Sequence, residues 1–182
     1  SSSVTRGSSS AIVRFTPFDA PGRGLNTIVD LTYTSLEKKC ECPAGNNWSL
    51  AISCLTRFGN PIDVHPNKAD TIGGNPNRFI ELTDGDGTTL DFTSSDAVHW
   101  QEPPGVNLYL RKFSDTDATK KWALTRPDRV TFFYDVDGFP TSVQDANGNT
   151  ITYTRETTPP GEDRGGPAKR IPKVTDAGGR SF

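Results

Sequence analysis

Short stretches in which polar and apolar residues alternate, separated by clusters of Gly, Asn, Asp and Pro, recur along most of this chain. Residues 22–36 and 47–59 both follow this period of two, which is the spacing of a β-strand with one buried face. No window of about eleven residues or more carries the apolar stripe of a helix. The pattern therefore predicts an all-β fold with little or no helix: a meandering antiparallel sheet, closed as a sandwich or an open barrel and built from successive hairpins.

Several of the predicted hairpins follow one plan. An apolar residue stands two positions before an Asp, a Gly follows the Asp by three, and an aromatic residue closes the returning strand. The three sets are Leu82-Asp84-Gly87-Phe92, Val143-Asp145-Gly148-Tyr153 and Val174-Asp176-Gly179-Phe182. The Asp carboxylate can accept hydrogen bonds from turn amides, and the Gly supplies a positive φ. Residues 124–134 are a looser copy without the glycine.

On these residues the chain resembles the YD (tyrosine-aspartate) repeat family of RHS-type proteins. Residues 133–156, FYDVDGFPTSVQDANGNTITYTRE, are similar to the repeat itself. The upstream order resembles the region that precedes such repeats, in the segments 28–36, 46–50, 81–92 and 121–124. The resemblance implies the wall of a β-sheet shell, taken where the chain enters the repeats. The self-cleaving core and toxin tail of the family have no counterpart here, so it implies no toxin activity.

The composition divides the chain into four predicted parts. Residues 1–10 are a flexible Ser-rich arm, residues 11–158 a β domain, residues 159–168 a Gly/Pro linker, and residues 169–182 a terminal strand that forms a partial YD repeat. Because a lone returning strand leaves backbone groups unpaired, the last part predicts an open sheet edge. Three outcomes stay open: a fragment of a longer repeat protein, a strand folded onto its own sheet, or a strand lent to a neighbouring subunit.

The leading functional hypothesis is a non-catalytic structural β protein that associates with copies of itself by β-strand addition, forming a fibre, shell or surface layer. The residues predicted to mediate assembly are Val174, Asp176, Gly179 and Phe182, with Ile12 and Phe15 of the first strand. One alternative is a module that binds carbohydrate or cell surfaces through Trp100, Tyr109 and Trp122. Another is a fragment of a larger toxin-encapsulating shell of the RHS type.

The charge and composition of the chain exclude some classes of binding partner and predict the compartment in which the protein is found. The formal net charge is −2 with both signs scattered, which indicates no nucleic-acid partner, and no apolar run reaches the roughly 20 residues of a membrane span. The chain has no methionine, so residue 1 is not a translation start. This predicts a processed, exported product that is extracellular, either secreted or at the cell surface.

The three cysteines, Cys40, Cys42 and Cys54, lie close together in the sequence. A disulfide between Cys54 and either of the others would close a short loop and leave one thiol over. The alternative is three reduced, buried thiols, as expected in a reducing compartment. A zinc site would need a fourth ligand, for which His65 is the nearest candidate.

No motif for catalysis or for a cofactor stands out. Neither His65 nor His99 is flanked by a nucleophile or metal-binding pattern, so we predict that the protein is not an enzyme and uses no cofactor. The DGDG stretch at 84–87 faintly resembles a calcium loop, which makes Asp84 and Asp86 a weak Ca²⁺ candidate. It lacks the distal Glu of such loops and is interpreted as a turn.

Overall fold

In a computed structural model of the protein, the residues described are 2–7, 10–21, 24–34, 48–50, 54–59, 78–83, 88–94, 99–157 and 169–182. They form β-strands and turns and contain no helix, which confirms the predicted all-β class. In chain order the strands are β1 (Ser2–Gly7), β2 (Ser10–Ala20), β3 (Thr27–Thr34), β4 (Trp48–Leu50), β5 (Cys54–Gly59), β6 (Arg78–Thr83), β7 (Thr89–Ser94), β8 (Tyr109–Lys112), β9 (Trp122–Thr125), β10 (Thr131–Tyr134), β11 (Pro140–Gln144), β12 (Thr150–Thr157) and β13 (Lys169–Thr175).

The strands pair with their neighbours in sequence, so each sheet is a meander. Strands β1 to β4 form a 4-stranded sheet, β5 to β7 a 3-stranded sheet, and β8 to β13 a 6-stranded sheet. The pairings within all three are antiparallel, for example β6 with β7 and β11 with β12. Successive hairpins therefore build the fold, as the turn dipeptides predict.

A short segment joins the 3-stranded sheet to the 6-stranded sheet. Thr93 of β7 and Gln101 exchange backbone hydrogen bonds of 3.1 and 2.8 Å, and His99 bridges to Arg111 of β8. On the other side, the Leu55 amide of β5 donates to the Gly138 carbonyl at 2.9 Å. Segment 99–101 thus pairs with both β7 and β8 and joins the two sheets.

The main core lies between these two sheets. The 6-stranded sheet contributes an apolar row of residues directly opposite one another on adjacent strands: Leu110, Leu124, Phe132, Val143 and Ile151. The core cluster joins residues of both sheets: Leu55, Ile80, Leu82, Phe92, Leu110, Leu124 and Tyr134. Burying each such side chain contributes about 1.5–3 kcal/mol. Period-two alternation is what places these residues on one face.

Two predicted segment boundaries are corrected by the pairing. Residues 2–7, predicted as part of a flexible arm, form β1, which pairs along its length with β2; Val4 lies opposite Val13. Ser and Thr are compatible with a strand when a neighbouring edge offers backbone partners. Strand β13, predicted as a separate terminal unit, belongs to the 6-stranded sheet through β12. The predicted linker, 159–168, lies outside the described residues.

Candidate functional site: the hairpin turns and the β13 edge

Asp135, Asp145 and Asp176 open turns with the same hydrogen-bond pattern. In each turn the Asp amide donates to the carbonyl four residues later, at 2.9, 3.0 and 2.9 Å respectively. The Asp Oδ1 accepts the amides of the residues two and four positions later, at distances between 2.8 and 3.0 Å. The carboxylate therefore satisfies amides that the turn would otherwise leave unpaired, as predicted for Asp145 and Asp176. The predicted Asp84 turn lies outside the described residues, and Asp135 was not in the predicted set.

The glycine three positions after each Asp has a positive φ. The values are 86° for Gly138, 86° for Gly148 and 82° for Gly179, and each glycine amide donates to the carbonyl of its Asp. The looser copy makes the same backbone turn: the Arg126 amide donates to the Val130 carbonyl at 2.9 Å, and Arg129 takes the glycine position with a φ of 64°. Main-chain geometry is thus repeated where the residue pattern is not.

Arg129 is the described non-glycine residue with a positive φ. We expect Arg129→Gly to raise the free energy of unfolding by about 1 kcal/mol, since the left-handed conformation costs an L-residue about 1–2 kcal/mol and the added glycine entropy offsets only part of this. Urea denaturation measures the change. Arg126→Gly, in the same turn at an ordinary φ, is the control and should lower stability; an unstabilised Arg129→Gly protein would contradict the prediction.

The residue four positions after each Asp determines how its carboxyl titrates. Asn149 donates from its side-chain amide to Asp145 Oδ2 at 2.7 Å, and this bond lowers the pKa of Asp145. Burial acts to raise the pKa of Asp176, but hydrogen bonds from the Arg180 amide and guanidinium, the latter at 2.6 Å, bring it below its usual value. Phe139 offers the third turn no side-chain donor.

Asp135 therefore behaves differently from its two counterparts. It is 5 % exposed, and desolvation raises the pKa of its carboxyl even though the Phe139 amide and the charge of Arg155 oppose that shift. The Arg155 guanidinium forms ion pairs with Asp135 and, at 3.3 Å, with Asp137. It also lies over the Phe139 ring, 4.8 Å from the ring centre to the guanidinium carbon. Sequence reasoning did not single out Arg155.

The edge of the 6-stranded sheet is β13, which folds onto its own sheet by pairing with β12. This is the second of the three outcomes left open by the sequence. Beyond the Asp176 turn, Phe182 returns to β13, and Phe182 and Val174 exchange two backbone hydrogen bonds of 2.9 Å. The Val174 amide thus points away from β12. Asp176 and Gly179 act within the turn, while the Phe182 side chain is 42 % exposed.

Ile12 and Phe15 are not at an edge. Ile12 of β2 lies between Thr5 of β1 and Thr34 of β3, and Phe15 of β2 is likewise paired on both sides. Because β2 is an interior strand, its backbone groups are already used within the sheet and it cannot accept a strand from another molecule. The predicted role of Ile12 and Phe15 in assembly stays a prediction, and in this pairing β1 occupies the edge that the sequence assigned to their strand.

The turns of the 6-stranded sheet contact the loop between β2 and β3. Arg180 Nη2 donates to the Pro21 carbonyl at 2.8 Å. Gly24, at a φ of 84°, packs so closely on the next turn that an added Cβ would overlap Asp145 Oδ2 and Asn149 Nδ2. This long-range contact has no local sequence signal beyond the glycine itself.

The aromatic residues proposed for sugar binding do not form a platform. Trp100 and Trp122 make an edge-to-face contact at 5.6 Å and pack against the core cluster. Tyr109 is 58 % exposed, but it shares a sheet face with Thr125, its partner on β9, whereas Trp122 lies three positions from Thr125 and so on the opposite face. Core packing uses the two tryptophans.

Most of the predicted metal and thiol candidates fall outside the described residues: Cys40, Cys42, His65, Asp84 and Asp86. Cys54 lies opposite Thr83 at the start of β5, and because both of its candidate partners are among the residues outside the description, the disulfide stays a prediction. The described part of the chain contains no group of three or more His, Cys, Asp or Glu side chains placed to hold a metal ion. Nor does that part contain a helix long and apolar enough to cross a membrane.

No protein-family model matches the chain, and no curated protein is significantly similar to it. The YD-repeat resemblance accordingly stays a prediction from the sequence.

Proposed function

We propose that the protein is a non-catalytic, exported structural module of the YD-repeat type, whose sheet is extended by strand addition at β13. The observation that carries the proposal is the state of the two edges of the 6-stranded sheet. The His99–Arg111 bridge joins β8 to the segment that pairs with the 3-stranded sheet, whereas the described residues on the outer side of β13 are the chain's own Ser181 and Phe182, with no further strand beyond them. An added strand, from a neighbouring subunit or a further repeat, continues the backbone pairing that these two residues begin on the outer side of β13.

The outer side of β13 also limits where a strand can add. The Val174 amide faces outward, and the regular alternation of backbone groups ends just before it, because the β12–β13 register shifts beside position 172. Position 172 is a proline, which has no amide to donate, and Lys173 beside it is exposed. Proline and lysine are residues that blunt edges against indiscriminate pairing. Because Phe182 already bonds the outward amide and carbonyl of Val174, a strand can add only beyond this pair, in line with Phe182.

The non-catalytic part of the proposal rests on the sequence, which carries no nucleophile or metal motif around His65 or His99. The repeated Asp turns support a structural role. Each turn is stabilised by hydrogen bonds within its own hairpin, so hairpins can be added to the sheet without changing the turns already present. Such hairpins are marginal alone and become stable when they share a sheet.

We expect Val174→Pro to abolish self-association while leaving the chain folded. The substitution removes the outward amide that bonds Phe182, and proline is tolerated where an edge amide faces outward. Sedimentation velocity over a range of concentrations measures association, and circular dichroism measures folding. Thr175→Pro is the control: its amide faces β12, so that variant should lose stability. Wild-type protein that stays monomeric throughout, or Val174→Pro protein that still associates, contradicts the proposal.

A further inference from the structure

A cleft of about 540 Å³ opens between β11 and β12 on the 6-stranded sheet. This volume lies within the roughly 300–1,000 Å³ typical of small-molecule sites. Half of the residues that line it carry a Ser or Thr hydroxyl: Thr119, Thr141, Ser142, Thr150, Thr152 and Thr154. The cleft lies away from the tryptophans that were predicted to bind sugar and from the β13 edge proposed for assembly.

The cleft exists because two strands diverge. The β11–β12 ladder ends at the pair Ser142–Thr152, while β12 runs on to Thr157. A register shift between Phe133 and Tyr134 leaves Thr141 as an extra residue in β11, and its hydroxyl lies 2.7 Å from the Thr119 carbonyl. Bulges of this kind bend a strand and redirect its side chains. The loop before β9 thereby becomes one wall of the cleft.

Ser142 lies where the walls meet. It is 4 % exposed, and its hydroxyl has no hydrogen-bond partner among the described residues. It faces Thr152 across the ladder and Phe133 on its other side. A buried hydroxyl without a partner destabilises the fold, and because its oxygen is covered, a ligand group bonds it only when the cleft walls part.

The charged side chains at the cleft already interact with other groups of the protein. A ligand rich in hydroxyl groups therefore matches the cleft best. Asp135 and Arg155, which both line the cleft, form an ion pair with each other. The third charged lining residue, Lys120, lies over the Phe133 ring with its Nζ 4.7 Å from the ring centre. The Thr119, Thr141 and Thr150 hydroxyls already donate within the protein. The exposed Thr152 and Thr154 hydroxyls can both donate to and accept from a ligand, as sugar hydroxyls do.

We propose that this cleft binds a saccharide residue of a glycan chain, with the Ser142 hydroxyl bonding a sugar hydroxyl and the Asp135–Arg155 pair closing one end. The ligand enters between the diverging strands, and the exposed Thr152 and Thr154 side chains contact it from β12. Binding here is independent of strand addition at β13, so the Val174→Pro protein keeps it.

Labelled full-length protein applied to a printed array of neutral, sialylated and sulfated oligosaccharides tests the proposal, and the strongest responder is then titrated calorimetrically. Thr152→Arg, which fills the cleft, should abolish binding. Thr157→Arg, on the same strand but outside the cleft, is the matched control and should bind as the wild type does. Ser142→Ala should weaken binding about three- to tenfold. Its melting temperature should not fall, because the lost hydroxyl has no partner in the protein.

Two results would overturn the proposal. One is a wild-type protein that binds none of the printed oligosaccharides. The other is a folded Thr152→Arg protein that binds them as well as Thr157→Arg does. A preference for the sialylated or sulfated members over the neutral ones would place Lys120 in contact with the ligand, still within this cleft.

Discussion

Replacing Gly24 with valine should lower the free energy of unfolding by about 2–5 kcal/mol. The residue has a φ of 84°, which costs an L-residue about 1–2 kcal/mol, and a β-branched residue at least as much. A Cβ there would also overlap the Asp145 carboxylate and the Asn149 amide, and such overpacking typically costs about 1–3 kcal/mol more. Chemical denaturation followed by far-ultraviolet circular dichroism measures the loss.

Gly148→Val separates the two causes. Gly148 has a φ of 86°, but an added Cβ would meet no atom within 4 Å. That variant therefore bears only the backbone strain, and its loss should be smaller by the overpacking contribution. If the two variants lose equal stability, the contact between the β2–β3 loop and the Asp145 turn contributes nothing, and the N-terminal sheet does not dock as described.

The second large effect concerns Asp135, whose replacement by alanine should lower the free energy of unfolding by about 2–4 kcal/mol. The change removes the acceptor for the Asp137 and Phe139 amides, at 2.9 and 3.0 Å, and leaves Arg155 without its buried partner. Asp137→Ala is the control. Its carboxylate is about half exposed and pairs with the same Arg155 at 3.3 Å, so its loss should cost less than about 1 kcal/mol.

Replacing Asp135 with asparagine should change how the stability of the protein depends on pH. Burial raises the pKa of Asp135, so the folded protein is more stable with this carboxyl protonated than ionised, and acidification through that pKa adds stability. The pKa values of Asp145 and Asp176 are lowered, so their stabilisation is lost as the pH falls through them. Stability should therefore fall more steeply between about pH 5 and pH 2 in Asp135→Asn protein, and less steeply in Asp145→Asn protein. Urea titrations at successive pH values measure the slopes. Identical slopes would contradict the assignment.

The sequence predicted those parts of the fold that depend on local chemistry. Alternation placed Val143 and Ile151 on one face, and they pair directly across β11 and β12. The Asp and Gly of each repeat specified both ends of a turn, because a carboxylate acceptor and a positive φ are needed within five consecutive residues. Hairpins are local structures, so a correct turn largely determines which strands pair.

Contacts between distant segments were not predictable in this way. The Ser-rich start of the chain carries little strand signal, and only the presence of β2 gives β1 its backbone partners. In the sequence, a tryptophan that stacks on a sugar looks the same as one that packs in a core. The packing of two sheets decides between these two roles for Trp100 and Trp122. Arg155 and Gly24 acquire their roles from residues more than ten positions away, which no pattern of period two reveals.

Arg129 occupies a glycine position and still completes its turn. The backbone conformation of the turn therefore does not require the Asp and the Gly. With other residues at both positions, the turn keeps its main-chain hydrogen bonds at a modest energetic cost. A count of these turns by residue identity therefore misses this one, which is recognisable from its backbone.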